Sequence, residues 1–397
     1  MAQLSDRLNR LAPSATLAMS QKSNEMKAQG VDVINMSVGE PDFNTPDHIK
    51  EAGKKAIDDN FSKYSPVPGY MDLREAIVDK LKKENHLDYT TGEVIVGTGG
   101  KQGVCNTILA LVNPGDEVII PAPYWVSYPQ MAKLAGATPV VVRAGFEQEF
   151  KMTAEQLEAA ITPKTKMLIL CSPSNPTGSV YSQEELNALA EVILKHEDIF
   201  VLSDEIYEHI NYVGKAASIA SYPGMKERTI ICNGVSKAYA MTGWRLGWVA
   251  APAWIVKGIN KLQGQYTSGT CDVSQKAAVA AYVASQDCVE QMRVAFERRR
   301  DLIVKLAKDI PGLEVNVPQG AFYLFPKCSS FFGKSDGETV INNSTDFAMY
   351  ILEKAHVATV GGDAFGDPDC FRMSYATSDD NIREAMRRIK EVLAVLK

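Results

Sequence analysis

Residues 229–250 read TIICNGVSKAYAMTGWRLGWVA. Thr229–Asn233 and Leu246–Ala250 are short runs rich in buried-type residues, so the stretch reads as two strands joined by a connection that carries Lys237 and Arg245. Around the lysine, Gly234, Val235, Ser236, Ala238 and Ala240 are small and mostly apolar. They crowd little and solvate poorly. A loop lysine usually carries its amine out to water, and that reading stays open here. An amine that loses solvation, however, loses basicity and becomes a nucleophile able to form a Schiff base.

Similar runs lie upstream, at Val94–Thr98, Glu117–Ile120, Thr138–Val142, Lys166–Cys171 and Phe200–Ser203. Two of the segments between runs open with a capping-box pattern, Thr153-Ala154-Glu155-Gln156 and Ser182-Gln183-Glu184-Glu185. Strand, helix, strand repetition predicts an α/β fold with a mainly parallel sheet covered on both faces. After about Ala253 the rhythm changes. A long helix is expected from Gln286 to Lys308, stopped by Pro311-Gly312, then strands at Ala321–Phe325 and Phe371–Tyr375, with helices from about Thr345 and Asp379. This predicts a smaller second domain of mixed type.

Composition narrows the function classes. The 397 residues are 45% hydrophobic and 23% charged, which is globular, and long enough for about two domains or three. A net charge of −6 offers no general attraction for nucleic acid, and the run Arg298-Arg299-Arg300, flanked by Glu297 and Asp301, reads as a solvated helix face. Seven scattered cysteines, never spaced C-x-x-C, suit a reducing compartment, and five histidines without ligand spacing predict no metal site. No stretch approaches the ~18 apolar residues of a membrane span. With Asp6, Arg7 and Arg10 among the first residues, no signal peptide is expected, and the expected location is the cytoplasm.

In an open parallel sheet ligands bind beyond the carboxyl ends of the strands. Gly99-Gly100-Lys101, Tyr124-Trp125, Ser174-Asn175-Pro176-Thr177-Gly178, Asp204-Glu205-Ile206-Tyr207 and the Lys237 segment each follow a run, so five strand ends converge on one rim. Gly99-Gly100 is a tight turn or a helix N-terminus offering N–H groups to an anion. Trp125 is a core aromatic or a stacking surface. Asn175 caps its proline-rich turn or reaches a ligand. Asp204, at a buried strand end, must meet a cation or a donor, inside the protein or on a ligand. A Schiff-base lysine, an acid for a pyridine nitrogen, an aromatic for stacking and glycines with Arg245 for a phosphate together match the needs of pyridoxal phosphate.

The segment Ser236–Gly247, SKAYAMTGWRLG, resembles the cofactor-lysine motif of class I aminotransferases. The resemblance extends through Gly39-Glu40-Pro41-Asp42-Phe43, Lys63-Tyr64, Gly99-Gly100-Lys101-Gln102, Pro123-Tyr124-Trp125-Val126-Ser127-Tyr128, the Asn175 loop, Ser203-Asp204-Glu205-Ile206-Tyr207, Gly320-Ala321-Phe322-Tyr323 and Phe371-Arg372-Met373-Ser374-Tyr375-Ala376. It is strongest to the I-beta subgroup of bacterial aspartate aminotransferases, some of which also accept prephenate.

That resemblance implies fold type I, with a large cofactor-binding domain at 48–285 and a small α+β domain built from 1–47 and 286–397. It implies pyridoxal 5′-phosphate held by Lys237, which also moves the proton. Asp204 would pair with the pyridine nitrogen, Asn175 and Tyr207 would serve the phenolic oxygen, and Trp125 would stack on the ring. Ser236, Arg245, the backbone at Gly99, Gly100 and Lys101, and Tyr64 from a second subunit would hold the phosphate, which makes a homodimer with shared sites the expected unit. Arg372 would grip the α-carboxylate as a bidentate fork, with the backbone N–H of Gly39 assisting. Its other reading is an arginine on an edge strand. Lys101 with Ser14-Ala15-Thr16 would meet a distal carboxylate, implying L-aspartate and 2-oxoglutarate as substrates and leaving prephenate open. A lyase on the same fold and a non-catalytic sensor are the rivals. One departure stands out: Gly234 occupies a position where many relatives carry serine.

Overall fold

The structure, a computed structural model, describes residues 4–397. A seven-stranded sheet forms its centre: β1 (Val94–Gly97), β2 (Glu117–Ala122), β3 (Thr138–Arg143), β4 (Thr165–Cys171), β5 (Phe200–Asp204), β6 (Thr229–Gly234) and β7 (Gly247–Ala250), in the order β1-β7-β6-β5-β4-β2-β3. Each expected run is a strand of this sheet, and both capping boxes are formed, at Thr153/Gln156 and Ser182/Glu185.

Alternation explains why these runs are apolar throughout. Ile95, Val118, Ile120, Ile169, Leu202, Ile230 and Val249 pack into one core under the helices Gly100–Leu111 and Ala253–Gln263. Their chain neighbours point the other way: Ile119, Leu168, Leu170 and Val201 enter a second core, and Val94, Val96, Ile231 and Trp248 a third. Side chains of a strand alternate between faces, so a sheet buried on both sides needs an apolar residue at every position.

β6 pairs in parallel with β5, but antiparallel with β7, which in turn is antiparallel to β1. The connection 235–246 is at the lower limit for a crossover, and here the chain turns back instead of crossing over. The reversal decides where Arg245 lies. It precedes β7, yet the start of β7 sits beside the ends of β6 and β1, with Gly247 opposite both Gly234 and Gly97.

The C-terminal third builds a second, smaller sheet: β8 (Tyr323–Leu324), β9 (Val360–Gly361) and β10 (Phe371–Ser374), antiparallel in the order β9-β10-β8. The expected strand 321–325 is therefore shorter than its apolar run. Ile34–Asn35 pairs in parallel with Val357–Ala358, and Ile34 and Met36 share a core with Phe296, Phe347, Phe371 and Ile389. The expected long helix is Asp287–Lys308, with Val289, Met292, Phe296, Ile303, Val304 and Ala307 buried along one stripe.

The arginine run corrects the sequence reading. Arg298 is exposed, but Arg299 is only 7% exposed and Arg300 is half-buried, because the helix turns successive side chains by about 100° and brings Arg299 onto the packed stripe. No helix among the described residues is long and apolar enough to cross a membrane. All seven cysteines are unpaired.

Candidate active site

A cavity of about 410 Å³ opens where the carboxyl ends of the large sheet meet the small one. Gly100 and Lys101 reach it from beyond β1, Trp125 from beyond β2, Asn175 from beyond β4, Asp204 and Tyr207 from β5, and Ser236, Lys237 and Arg245 from the β6–β7 connection. Arg372 on β10, Gly39 and Thr16 close the other side. Gly99 is the residue before the helix Gly100–Leu111. Tyr64 is absent from this lining: it is 99% exposed and borders a separate depression with Gly269, Thr270 and Cys271.

Lys237 is desolvated in this cavity, with Glu40, Arg372, Arg245 and Asp204 as its charged neighbours. Burial pulls its amine down to about 8, with Arg372 and Arg245 adding to the fall and Glu40 opposing it. Its Nζ donates to the Gly39 carbonyl at 2.5 Å and lies 5.8 Å from the centre of the Tyr207 ring. Near neutrality it is still mostly protonated, but much closer to the neutral, nucleophilic form than a solvated lysine.

Asp204 is pushed the other way. Burial raises its carboxyl to about 6, against the pull of the Tyr128 hydroxyl, which donates to Oδ2 at 2.7 Å, and of the Ile206 N–H at 3.3 Å. Tyr128 is fully buried, and its ring meets Trp125 edge to face at 5.3 Å. The donor that sequence reasoning required for Asp204 is thus a tyrosine three residues after Trp125, a residue quoted in the motif but given no role.

The glycines set the anion-binding corner. Gly99 has φ +80°, and a Cβ there would lie 2.6 Å from Nη2 of Arg245, so only glycine lets the guanidinium lie across the turn. A Cβ on Gly247 would overlap the Gly100 nitrogen. The helix N-terminus therefore rests directly on the sheet, its first N–H groups aimed at the cavity beside Arg245. Lys101 lies 4.9 Å from the centre of the Trp125 ring, its amine lowered by burial and then by Arg245.

Arg372 is 2% exposed, far from the edge-strand arginine of the alternative reading. Its Nη1 donates to Asn175 Oδ1 at 2.9 Å, its Nη2 to the Ser37 carbonyl at 2.5 Å, and its Nε has no partner. The guanidinium lies between the rings of Tyr323 and Phe365, at 4.7 and 4.9 Å. Tyr207 shares a 2.7 Å hydrogen bond with Tyr323, whose hydroxyl would be overlapped by any Cβ on Gly39. A buried cation with an unused donor, facing a cavity, is a carboxylate receptor in its chemistry.

The family model for aminotransferase class I and II matches residues 31–389. The chain belongs to this family. It is 49% identical over its whole length to the aspartate/prephenate aminotransferase of Cereibacter sphaeroides (strain ATCC 17029 / ATH 2.4.9), covering all of that protein. It is 48% identical to the bifunctional aspartate aminotransferase and glutamate/aspartate-prephenate aminotransferase of Petunia hybrida, covering 99% of this chain and 83% of the relative. Among solved structures, the aspartate aminotransferase of Rhizobium meliloti superposes with a TM-score of 0.97 at 42% identity, covering both chains fully. That of Thermus thermophilus with maleate gives 0.93 at 40% identity, covering 99% of this chain and 100% of that one. The enzyme is an aminotransferase of fold type I.

Proposed function

We propose that the enzyme transfers the amino group of L-aspartate to 2-oxoglutarate, giving oxaloacetate and L-glutamate, with pyridoxal 5′-phosphate held covalently at Lys237. The observation that carries this reading is the meeting, in one cavity, of a desolvated lysine amine with a buried arginine that has a free donor.

The residues present fit the cofactor. Gly99 and Gly247 let Arg245 and the start of the helix Gly100–Leu111 pack closely, so that the helix N-terminus, Arg245 and Ser236 face one cavity where a phosphate would be held. Asp204 offers a carboxylate at the far wall, and Trp125 a ring face. When bound, the cofactor supplies a carbonyl for amine attachment and a ring that withdraws electrons from the substrate Cα.

The chain's own residues do the rest. Asp204, whose Oδ2 accepts from the Tyr128 hydroxyl, would balance positive charge on the ring nitrogen. Asn175 and Tyr207 stand at the wall between Lys237 and Arg372, positioned to serve the phenolic oxygen. Arg372, held by its Ser37 contact, would turn its free Nε–H and a further guanidinium N–H to the two oxygens of the α-carboxylate, assisted by the Gly39 N–H, and so present the Cα hydrogen to the Lys237 amine. Once the substrate amine has taken its place on the cofactor, the freed Lys237 amine would take that proton and return it two atoms away.

Lys101 and Thr16 on the same lining favour a distal carboxylate and leave prephenate open as a second acceptor. The relatives from C. sphaeroides and P. hybrida carry prephenate in their names. Retention of both Lys237 and Arg372 favours transamination over a lyase reaction.

We further assign a large domain at 48–285 and a small one from 1–47 and 286–397, a homodimer, and a cytoplasmic location. The wholly exposed Tyr64 supports a second subunit, whose site it would enter, and seven free thiols support the compartment. Mixing Lys237→Ala and Tyr64→Ala chains tests the dimer: mixed dimers regain one native site and should outperform either parent. Turnover of L-aspartate with 2-oxoglutarate, and of L-glutamate with oxaloacetate or prephenate, tests the reaction. Release of ammonia or carbon dioxide in place of an oxo acid would overturn it.

A further inference from the structure

The segment Ser37–Glu40 is a strap that touches both working residues of the site. The Ser37 carbonyl accepts from Arg372 and the Gly39 carbonyl from Lys237. Upstream the strap is held by the small sheet, where the Met36 N–H donates to Ala358 and the Met36 carbonyl accepts from Ser374. Downstream it leaves for the large sheet, and Thr45 donates to the Ala240 carbonyl at 2.7 Å.

At that crossing sits Arg299, the middle residue of the basic run. It donates from Nη1 and Nη2 to the two oxygens of Asp42, at 2.7 and 2.9 Å. Its guanidinium lies 5.0 Å from the Phe43 ring and 5.7 Å from that of Phe296. Asp379 stands near its Nε at 3.7 Å and is shared with Arg298. A fork-on-fork pair, with its arginine buried against the edge-to-face Phe43–Phe296 pair and its aspartate reaching solvent, fixes direction as well as distance. Pro41, one residue from Asp42, transmits that direction to Glu40 and Gly39 because its φ is fixed.

We propose that Arg299, acting through Asp42, is a positioning residue for the substrate carboxylate: it sets the Ser37–Glu40 strap against which the Arg372 guanidinium is aimed. The inference rests on the aminotransferase reading above. The Lys237 end of the strap matters less once the cofactor occupies that amine, because the Gly39 contact is then given up. The Arg372 end persists. Loosening the clasp therefore weakens carboxylate binding and leaves proton transfer intact.

The test uses the loaded enzyme, in three variants. Asp42→Asn keeps the shape, Asp42→Glu keeps the charge but shifts the clasp by one methylene, and Asp42→Asn/Arg299→Met removes both charges while still covering the Phe43–Phe296 pair. Maleate, a non-reacting dicarboxylate, is titrated by the visible band, alongside kcat and KM for L-aspartate, borohydride-fixed cofactor content and thermal midpoint. The wild type must bind maleate and turn over L-aspartate; if it does neither, the functional reading falls and the inference with it. Given that, we expect the maleate Kd and the KM to rise roughly tenfold or more, with kcat within about threefold and cofactor content unchanged. If both constants stay within about twofold while only the thermal midpoint drops, or if kcat or cofactor content falls without a change in KM, Arg299 is a structural clasp and the proposal is wrong.

Discussion

Gly234 faces Gly247 across the antiparallel β6–β7 pair, and a Cβ on Gly234 would lie 2.6 Å from the Gly247 Cα and 2.9 Å from the Leu246 carbonyl oxygen. The missing serine at this position is thus a packing requirement of this backbone. Both obstacles are main chain and cannot rotate away. Gly234→Ser should destabilise the protein by about 1–3 kcal/mol, read as a lower thermal or denaturant midpoint, without improving cofactor affinity. A gain in cofactor affinity at unchanged stability would contradict this account.

Lys237 should limit the stability of the cofactor-free protein. Its amine titrates near 8 when folded and at its ordinary 10.5 when unfolded, so the folded chain holds fewer protons between those values. Stability from this group is therefore complete above 10.5 and is lost as pH falls through 8. Lys237→Met should accordingly stabilise the cofactor-free protein by on the order of 3 kcal/mol at pH 7, shrinking towards zero as pH rises from 8 to 10.5. The same variant should retain no borohydride-fixed cofactor. Denaturant titrations at several pH values check the first point, and absorbance of the reduced protein the second.

Asp204 offers a second titration of opposite form. Its folded value of about 6 lies above its ordinary 3.8, so its contribution is present below 3.8 and lost as pH rises through 6. Asp204→Asn should remove that loss, making the cofactor-free protein more stable at pH 7 than at pH 4 relative to wild type. With cofactor bound the anion is needed, and kcat for L-aspartate should fall by roughly 10²–10³ while borohydride still fixes the cofactor at Lys237. A kcat within about threefold of wild type would remove Asp204 from the chemistry.

Much of this could be read from residue order alone. Six strands of the large sheet were legible because burial on both faces writes a nearly unbroken apolar run, the part-exposed edge strand β3 by its valines, and two helix starts because Thr153 and Ser182 cap visibly. What stayed hidden depended on contacts between distant segments. The helix Ala15–Ala28 lacks a side-chain cap and buries only Ser23, so it carries no amphipathic signal. The reversal of β7 depends on a connection length near the limit for either direction. Arg299 looked solvated because its partner Asp42 is 257 positions away. Tyr128 resembles any core tyrosine until Asp204 is found beside it. Site residues that follow strands were readable from the fold rule. Of those that face them from the N-terminal strap, Gly39 was readable only through the resemblance, and Ser37 carries no local signal.

Lys101 should set the choice between dicarboxylic and monocarboxylic substrates. Its amine lies over the Trp125 ring at the cavity rim, lowered by burial and by Arg245, so a second substrate carboxylate would relieve an incompletely compensated cation. Hydrogen bonds to charged groups contribute about 1.5–3 kcal/mol, so Lys101→Met should lower kcat/KM for L-aspartate by roughly 10- to 100-fold. L-alanine, which lacks the distal group, should change by less than about threefold, because Lys237 and Arg372 are untouched. The decisive quantity is the ratio of the two kcat/KM values. Equal losses for both amino acids would mean that Lys101 acts on the cofactor phosphate beside Arg245, and the distal carboxylate would then need another partner on the Thr16 side of the cavity.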